Sequence, residues 1–488
     1  MGSDTAKVKS AAKWSIICEV LAKVIAPITT IVLARLLSQE VFGIVASLTA
    51  ITSMADMLAD AGFNAYIVQH QFNSEKERKG TINICFWTNI VIAIILFAVI
   101  VFNREFFSQL VGAKGYGNVL AVVSLVIPMV SISSIEMAIM KKDLNFKSLG
   151  VIKIISKFLP FFVTIPLALW GYGYWSLVIG AVAGEFIGMF LSVLGGRYYP
   201  SLSYPIQYIK SIFSFSIWAY LESILEWLIA NVAILVLATL YGMAALGVFK
   251  VAVNLVTQIT TSVYALYSNV YKSAIAKEQN DDESFRKMFL TFQKYSSLLS
   301  LPLGVGVFMF RDLITTLLLG ESWIGASTLI GLYCLTCTAS ISFGNFYSDG
   351  IRAKGHPFKL VVIDYIYLMS IILLLYSTKN IEFEVFCIIF GVLKILQPLM
   401  QAIVGRKVCN VSFTSVINNS YPQIAAAFFM AFFIYIFGMN HLQIIWELVF
   451  FFVSLVVYIV FVYLLSPDKK LYRSYMTSIP KRLIRKNN

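Results

Sequence analysis

The sequence predicts an all-α polytopic membrane protein of about 14 transmembrane helices. Two observations carry this. Of 488 residues, 59% are hydrophobic and 13% charged, with a mean hydropathy of +0.81; a soluble domain is roughly 45–50% apolar and about 25% charged. Apolar stretches also recur at the length a bilayer core demands, about 20 residues for about 30 Å, with short connections between them. This composition excludes a cytosolic enzyme, a secreted disulfide scaffold and a disordered tail protein.

Each span has boundary signals. The first two, near 14–37 and 41–60, are separated by a turn at 38–40. The third, near 80–102, follows Lys76, Arg78 and Lys79, and the fourth, near 117–140, ends at Lys141 and Lys142. The fifth and sixth, near 150–170 and 174–194, meet at Gly171, Tyr172 and Gly173. The seventh and eighth, near 210–240 and 244–270, meet at 241–243; the ninth and tenth, near 288–319 and 324–348, meet at 320–322. Spans near 359–377 and 383–404 follow, then 419–438 and 443–465, joined at 439–442. Pro27, Pro128, Pro160, Pro166, Pro302 and Pro398 fall inside or near spans, where proline is tolerated and bends helices. The alternate connections are longer, at 61–79 and 271–287. The second mixes charged and apolar residues, as an amphipathic segment on the membrane surface or a solvated linker would.

Charge orients these spans. With the N-terminus inside, inward loops and tails hold 27 of the 38 lysines and arginines, and outward loops hold Arg104, Lys114 and Lys379. Lysine and arginine bias in short loops sets orientation, so both termini are expected in the cytoplasm. The formal net charge of +13 therefore marks one membrane face, and no nucleic-acid partner is expected. The first span is too long for a signal-peptide core and no small-residue cleavage site follows it. The start resembles a myristoylation signal but has Ala6 where serine or threonine is required. Cys334 and Cys337 read as two small residues one turn apart on an apolar helix, without a second CxxC or neighbouring histidine to complete a metal site. The chain has no Walker A, nucleophile-elbow or metal-ligand spacing. No covalent chemistry, cofactor or metal is expected, and a proton or sodium gradient is the candidate driving force.

A shift of 204 residues aligns Trp14 with Trp218, Leu21 with Leu225 and Ala26 with Ala230. It aligns Val32, Leu33 and Ala34 with Val236, Leu237 and Ala238, Leu36 with Leu240, and Gly43 with Gly247. The separation covers six helices, an even number, so the copies share an orientation, an architecture used by transporters with the substrate path between halves. Residues 1–200 and 201–405 thus read as two pseudo-symmetric six-helix lobes around a central cavity. Residues 406–466 add two helices and 467–488 a basic cytoplasmic tail.

An ionisable side chain at bilayer depth costs about 2.5–3.5 kcal/mol on insertion scales and normally faces a cavity or a partner. Asp56, Asp60, Glu136, Lys153, Lys294 and Asp364 lie within a few turns of the inner surface, where snorkelling suffices. Lys23, Lys157, Glu185, Glu226 and Lys394 lie deeper. Glu19 and Lys23, Lys153 and Lys157, and Glu222 and Glu226 are each four apart and share a helix face. Paired lysines favour an anionic ligand between them. Paired glutamates repel, which suits an ion-coupling site; for Glu19 an internal pair with Lys23 competes with that role.

Particular residues resemble a known family. Ala34, Arg35, Leu36 and Leu37 with Phe42 and Gly43, then Asp60, Ala61, Gly62 and Phe63, resemble the opening of bacterial polysaccharide transporters. These are the lipid-linked oligosaccharide flippases of the multidrug/oligosaccharidyl-lipid/polysaccharide (MOP) exporter superfamily. The stretches at 142–147, 171–178 and 353–357 are similar to the family's loops after helices four, five and ten. The resemblance implies two bundles around a cationic cavity that opens alternately inward and outward. It implies, as substrate, undecaprenyl-pyrophosphate-linked oligosaccharide repeat units moved across the bacterial cytoplasmic membrane for O-antigen, capsule or exopolysaccharide. Membrane lipids, and a polysaccharide polymerase with its chain-length machinery, are the other partners implied. Lys23, Lys153, Lys157 and Lys394 are the expected cationic contacts, and Glu222, Glu226, Glu185 and Glu19 the ion-coupling candidates. The rivals are a multidrug exporter of the same superfamily, which calls for an acidic cavity, and a membrane polymerase or glycosyltransferase, which calls for a large outward loop.

Overall fold

The computed structural model describes residues 25–196, 198, 200, 201, 203–377, 381–437 and 444–466. With no water in the bilayer core, each backbone N–H and C=O must be satisfied within its own segment, which makes apolar segments helical. Helices α1 (Ile25–Leu36), α2 (Gln39–Asp60), α3 (Phe63–Gln69), α4 (Glu75–Phe102), α5 (Arg104–Leu110), α6 (Gly117–Val123), α7 (Val126–Lys142), α8 (Phe146–Leu169) and α9 (Tyr174–Gly195) come first. Then follow α10 (Ile209–Lys277), α11 (Asp282–Met309), α12 (Arg311–Leu318), α13 (Ser327–Phe343), α14 (Asn345–Ala353) and α15 (Phe358–Ser377). The last four are α16 (Phe383–Leu393), α17 (Leu396–Val408), α18 (Phe413–Phe437) and α19 (Ile444–Leu465). No strand occurs among the described residues. Among them, eleven stretches are long and apolar enough to cross a membrane, and α11 with α12 makes a twelfth if that bent pair is one span. Large side chains such as Ile95, Phe186, Phe428 and Val456 are more than half exposed or close to it, a pattern that suits lipid and would aggregate in water.

Spans start earlier than hydropathy alone places them, because helices run on past the apolar core. α4 begins at Glu75, where the Ser74 hydroxyl caps the Glu77 N–H at 3.1 Å. α11 begins after Asp281, whose carboxylate accepts from the N–H groups of Glu283 and Ser284 and from the Ser284 hydroxyl. Those hydrogen bonds hold the Asp281 carboxyl below the usual carboxylate range. The connection expected at 271–287 is therefore mostly helix, formed by the ends of α10 and α11 around a short turn at 278–281, and is not a long linker. α10, of 69 residues, is two helices that meet at Gly242, with φ 86° and ψ 170°; a straight run would be roughly 100 Å long, three times the bilayer core. The ninth span is not one continuous helix: α11 and α12 meet at 84° across Phe310. The tenth breaks at Gly344, where a methyl group would press on Pro398.

The chain forms two compact units. The first comprises the chain up to Ile259 with Leu318–Ala326 and Asp364–Cys387; the second comprises Thr260–Leu317, Ser327–Ile363 and the chain from Ile388 on. In the first, Gly180, Gly184 and Gly188 form a stripe on α9 that lets α8 approach, with Thr164, Pro160 and Ser156 in the gaps, the small-residue packing that replaces hydrophobic drive inside lipid. In the second, Gln293 of α11 is fully buried and joins three helices. Its side-chain amide nitrogen donates to the Ser297 hydroxyl (3.0 Å) and the Ser342 carbonyl (3.2 Å), and its carbonyl oxygen accepts from Asn419 (3.0 Å) and from the Ser420 hydroxyl (3.0 Å). This network fastens α18 to α11. Gln293→Leu is expected to destabilise the protein by about 1–2 kcal/mol, read as a lower thermal midpoint in detergent; an unchanged midpoint would show the network to be dispensable.

Candidate functional site

Within the first unit, residues far apart in sequence close one end of the helices. The turn between α1 and α2 receives the segment Leu318–Ala326. Trp323, 1% exposed, donates its indole N–H to the Ala34 carbonyl at 2.8 Å, and its ring meets Phe42 edge-on at 5.5 Å. The Arg35 Nε–H donates to the Leu318 carbonyl at 3.1 Å, and the Gln39 amide donates to that of Ser322. Behind this cap, α2 crosses the part of α10 that follows Gly242. The contact is backbone on backbone: a methyl on Gly43 would overlap the Met243 carbonyl oxygen, and one on Gly247 would overlap that of Gln39. Each would also lie 3.0–3.2 Å from the other glycine's nitrogen. Gly43 and Gly247 are the positions paired by the 204-residue repeat, so equivalent points of the two copies meet.

Further along the same helices opens a cavity of about 340 Å³. α1 supplies Thr29 and Thr30, α2 supplies Phe42 and Thr49, α8 supplies Lys157, and α10 supplies Lys250, Asn254 and Gln258. The threonine hydroxyls donate to backbone carbonyls of their own helices, at 2.7–3.1 Å, so their oxygens face the cavity mainly as acceptors. The ammonium groups of Lys157 and Lys250 are its cationic donors. A cavity with two ammonium groups in a low dielectric attracts anions strongly, since a charge pair 4 Å apart at an effective dielectric of 20 gains about 4 kcal/mol.

The expected site residues have different fates. Lys157 lines the cavity, with its Nζ 3.5 Å from Glu185 Oε1. Glu185 also lies within electrostatic range of Asp56. Lys153, one turn before Lys157, is exposed and lies near the like charge of Lys141. Glu222 is half-buried and Glu226 exposed on α10, and neither lines the cavity. Lys394 belongs to the second unit, at the break between α16 and α17, and donates to Gln397 Oε1 at 2.8 Å. Glu19 and Lys23 lie outside the described residues. Snorkelling does not describe Glu136, which is 4% exposed beside Gly196; its Oε2 has no hydrogen-bond partner among the described residues. Lys250 is not among the cationic contacts expected from the sequence. The signal that marks it is the spacing of Lys250, Asn254 and Gln258, three polar residues on one face of an apolar helix.

The sequence profile of a family described as polysaccharide biosynthesis protein matches residues 32–328, more than half of the chain. The chain belongs to that family. Among its relatives is the lipopolysaccharide biosynthesis protein WzxC of Escherichia coli, 24% identical over 357 residues that cover 72% of this chain and 70% of that protein. Another is the succinoglycan biosynthesis transport protein ExoT of Rhizobium meliloti, 23% identical, with 66% and 65% covered. The chain thus spans about two thirds of the length of these relatives. The fold is similar to that of the lipid II flippase MurJ in an inward closed conformation, with a TM-score of 0.73 at 15% identity, covering 93% of this chain and 98% of that one. It is also similar to an inward-facing multidrug resistance MATE family transporter of the MOP superfamily, with a TM-score of 0.60 at 12% identity, covering 80% and 94%. The chain is thus a member of this family, an all-α, multi-pass protein of the bacterial cytoplasmic membrane, with a fold similar to those of MurJ and the MATE transporter.

Proposed function

We propose that the chain is a flippase that carries undecaprenyl-pyrophosphate-linked oligosaccharide repeat units across the cytoplasmic membrane by alternating access. The observation that carries this reading is the cationic cavity of Lys157 and Lys250 in a member of this family, which suits a pyrophosphate or an acidic sugar. A carrier of cationic drugs needs the opposite polarity. In this reading the end closed by Trp323 and the two glycines faces outward, as the lysine and arginine bias of the other loops requires. Both termini then lie in the cytoplasm. Residues 1–200 and 201–405 act as the two lobes that rock about the substrate. Glu185, joined to Lys157, and Glu222, Glu226 and Glu19 are the proposed groups for coupling to protons or sodium ions. A polymerase with its chain-length machinery takes the product at the outer face.

The test is a deletion of the gene in its native host, followed by analysis of the surface glycan and the undecaprenyl-linked pool. Loss of polymer with single repeat units accumulating on the cytoplasmic side is the expected result. Normal glycan with new sensitivity to cationic dyes would replace the flippase with a drug exporter.

A further inference from the structure

A second polar pocket, of about 560 Å³, lies wholly within the second unit, and neither the motifs nor the cavity described above accounts for it. Its volume is in the range of small-ligand sites. Two helix faces form it. Asn345, Ser348, Asp349 and Arg352 recur at the spacing of one face of α14, opposite Tyr264 and Lys272 of α10.

At the floor, Asp349 has a side chain only 9% exposed and accepts a hydrogen bond from the Tyr264 hydroxyl. Two cations surround this one carboxylate. The ammonium of Lys272 stands 3.6 Å from Asp349 Oδ1 and 5.7 Å from the Tyr264 ring centre, and the charge of Arg352 acts on both Asp349 and Tyr264. At 3.6 Å the ion pair is held by charge without a hydrogen bond. The Lys272 side chain is 53% exposed and has room to turn. With two cations and one carboxylate, the charged residues that line the pocket sum to a formal charge of +1. A guanidinium and an ammonium beside an amide and a hydroxyl form a donor set that fits phosphate oxygens. The pocket lies near the ends of α10 and α14, beside the 278–281 and 354–357 connections, which the lysine and arginine bias of the loops would set at the inner membrane face, near lipid headgroups.

We propose that this pocket binds a phosphate group, which takes Lys272 from Asp349 and bridges it to Arg352. Two sources have this chemistry: the headgroup of an anionic phospholipid of the inner leaflet, and the pyrophosphate of the lipid-linked substrate. Only the second rests on the flippase reading.

The experiment uses the purified full chain carrying Lys157→Gln and Lys250→Gln, so that the first cavity is discharged. Thermal midpoints are compared in detergent with inorganic pyrophosphate against chloride of equal ionic strength, and in nanodiscs of phosphatidylglycerol against phosphatidylcholine. The expected result is a midpoint raised by several degrees, abolished by Lys272→Gln with Arg352→Gln and restored by Lys272→Arg with Arg352→Lys. A shift with phosphatidylglycerol alone assigns the pocket to the lipid, and a shift with pyrophosphate assigns it to the substrate phosphate. No shift with either probe, or one that survives the glutamine pair, overturns the proposal. The glycan assay judges the transport reading separately.

Discussion

Gly43→Ala and Gly247→Ala are each expected to reduce glycan export at least tenfold, and Gly43→Leu to abolish it. The obstacle to each methyl is a backbone carbonyl, of Met243 and of Gln39 respectively, so no side chain can turn aside to make room. α2 and α10 must separate, and overpacking of this kind costs about 1–3 kcal/mol. The cost falls only on the state in which this end is closed, and every 1.4 kcal/mol shifts that equilibrium about tenfold. A reporter lies next to the contact: Ser47 is fully buried, with its hydroxyl 3.9 Å from Met243 Sδ. Ser47→Cys is expected to resist a membrane-impermeant maleimide in the parent protein and to react in the Gly43→Ala background. Gly325→Ala, which meets nothing within 4 Å, serves as the neutral comparison. Full export by both glycine variants at normal protein levels would show that transport does not need this close approach.

The second large effect is expected at the cavity. Lys157→Gln should lower export by tenfold or more in a deletion host, with lipid-linked repeat units accumulating. Two mechanisms predict that loss. In one, Lys157 only neutralises Glu185, and the variant fails because a carboxylate is left without its cation inside the membrane, at about 2.5–3.5 kcal/mol. In the other, its ammonium holds the substrate anion. The double variant Lys157→Gln with Glu185→Gln separates them, since it restores charge balance without restoring the cation. We expect the double variant to remain defective, and Lys250→Gln, which removes the other ammonium lining the cavity, to show a loss of the same order. Recovery of export by the double variant would make the pair structural and would move the anion site away from Lys157.

Much of the fold was legible in the sequence because the bilayer makes the deciding property local. Whether a segment spans depends on the summed transfer of about 20 side chains and on self-contained hydrogen bonding, both readable residue by residue. That is why the helices fall where the apolar stretches do, and why the turn at 241–243 lies at Gly242. The break at Phe310 was less legible, since neither proline nor glycine stands at it; its signal is the pair of charged residues Arg311 and Asp312 directly after it, within an otherwise apolar stretch. The site was legible as a class of residue but not as an assembly. Lys153 and Lys157 are one turn apart, yet only the second lines the cavity. Lys250 lies 93 positions beyond Lys157 and reaches the same cavity.

By itself, the sequence determined that this chain is a bundle of membrane-spanning helices, that its first helices recur 204 residues later, and that its basic residues cluster on alternate connections. Only the tertiary structure decided which of those elements meet. It brought Gly43 against Gly247, seated Trp323 on the carbonyl of Ala34, and set Lys272 and Arg352 around one carboxylate. Hydropathy is a sum over one helix, whereas convergence depends on each helix's rotation and crossing point. Those are fixed by close packing of small residues against neighbours hundreds of positions away.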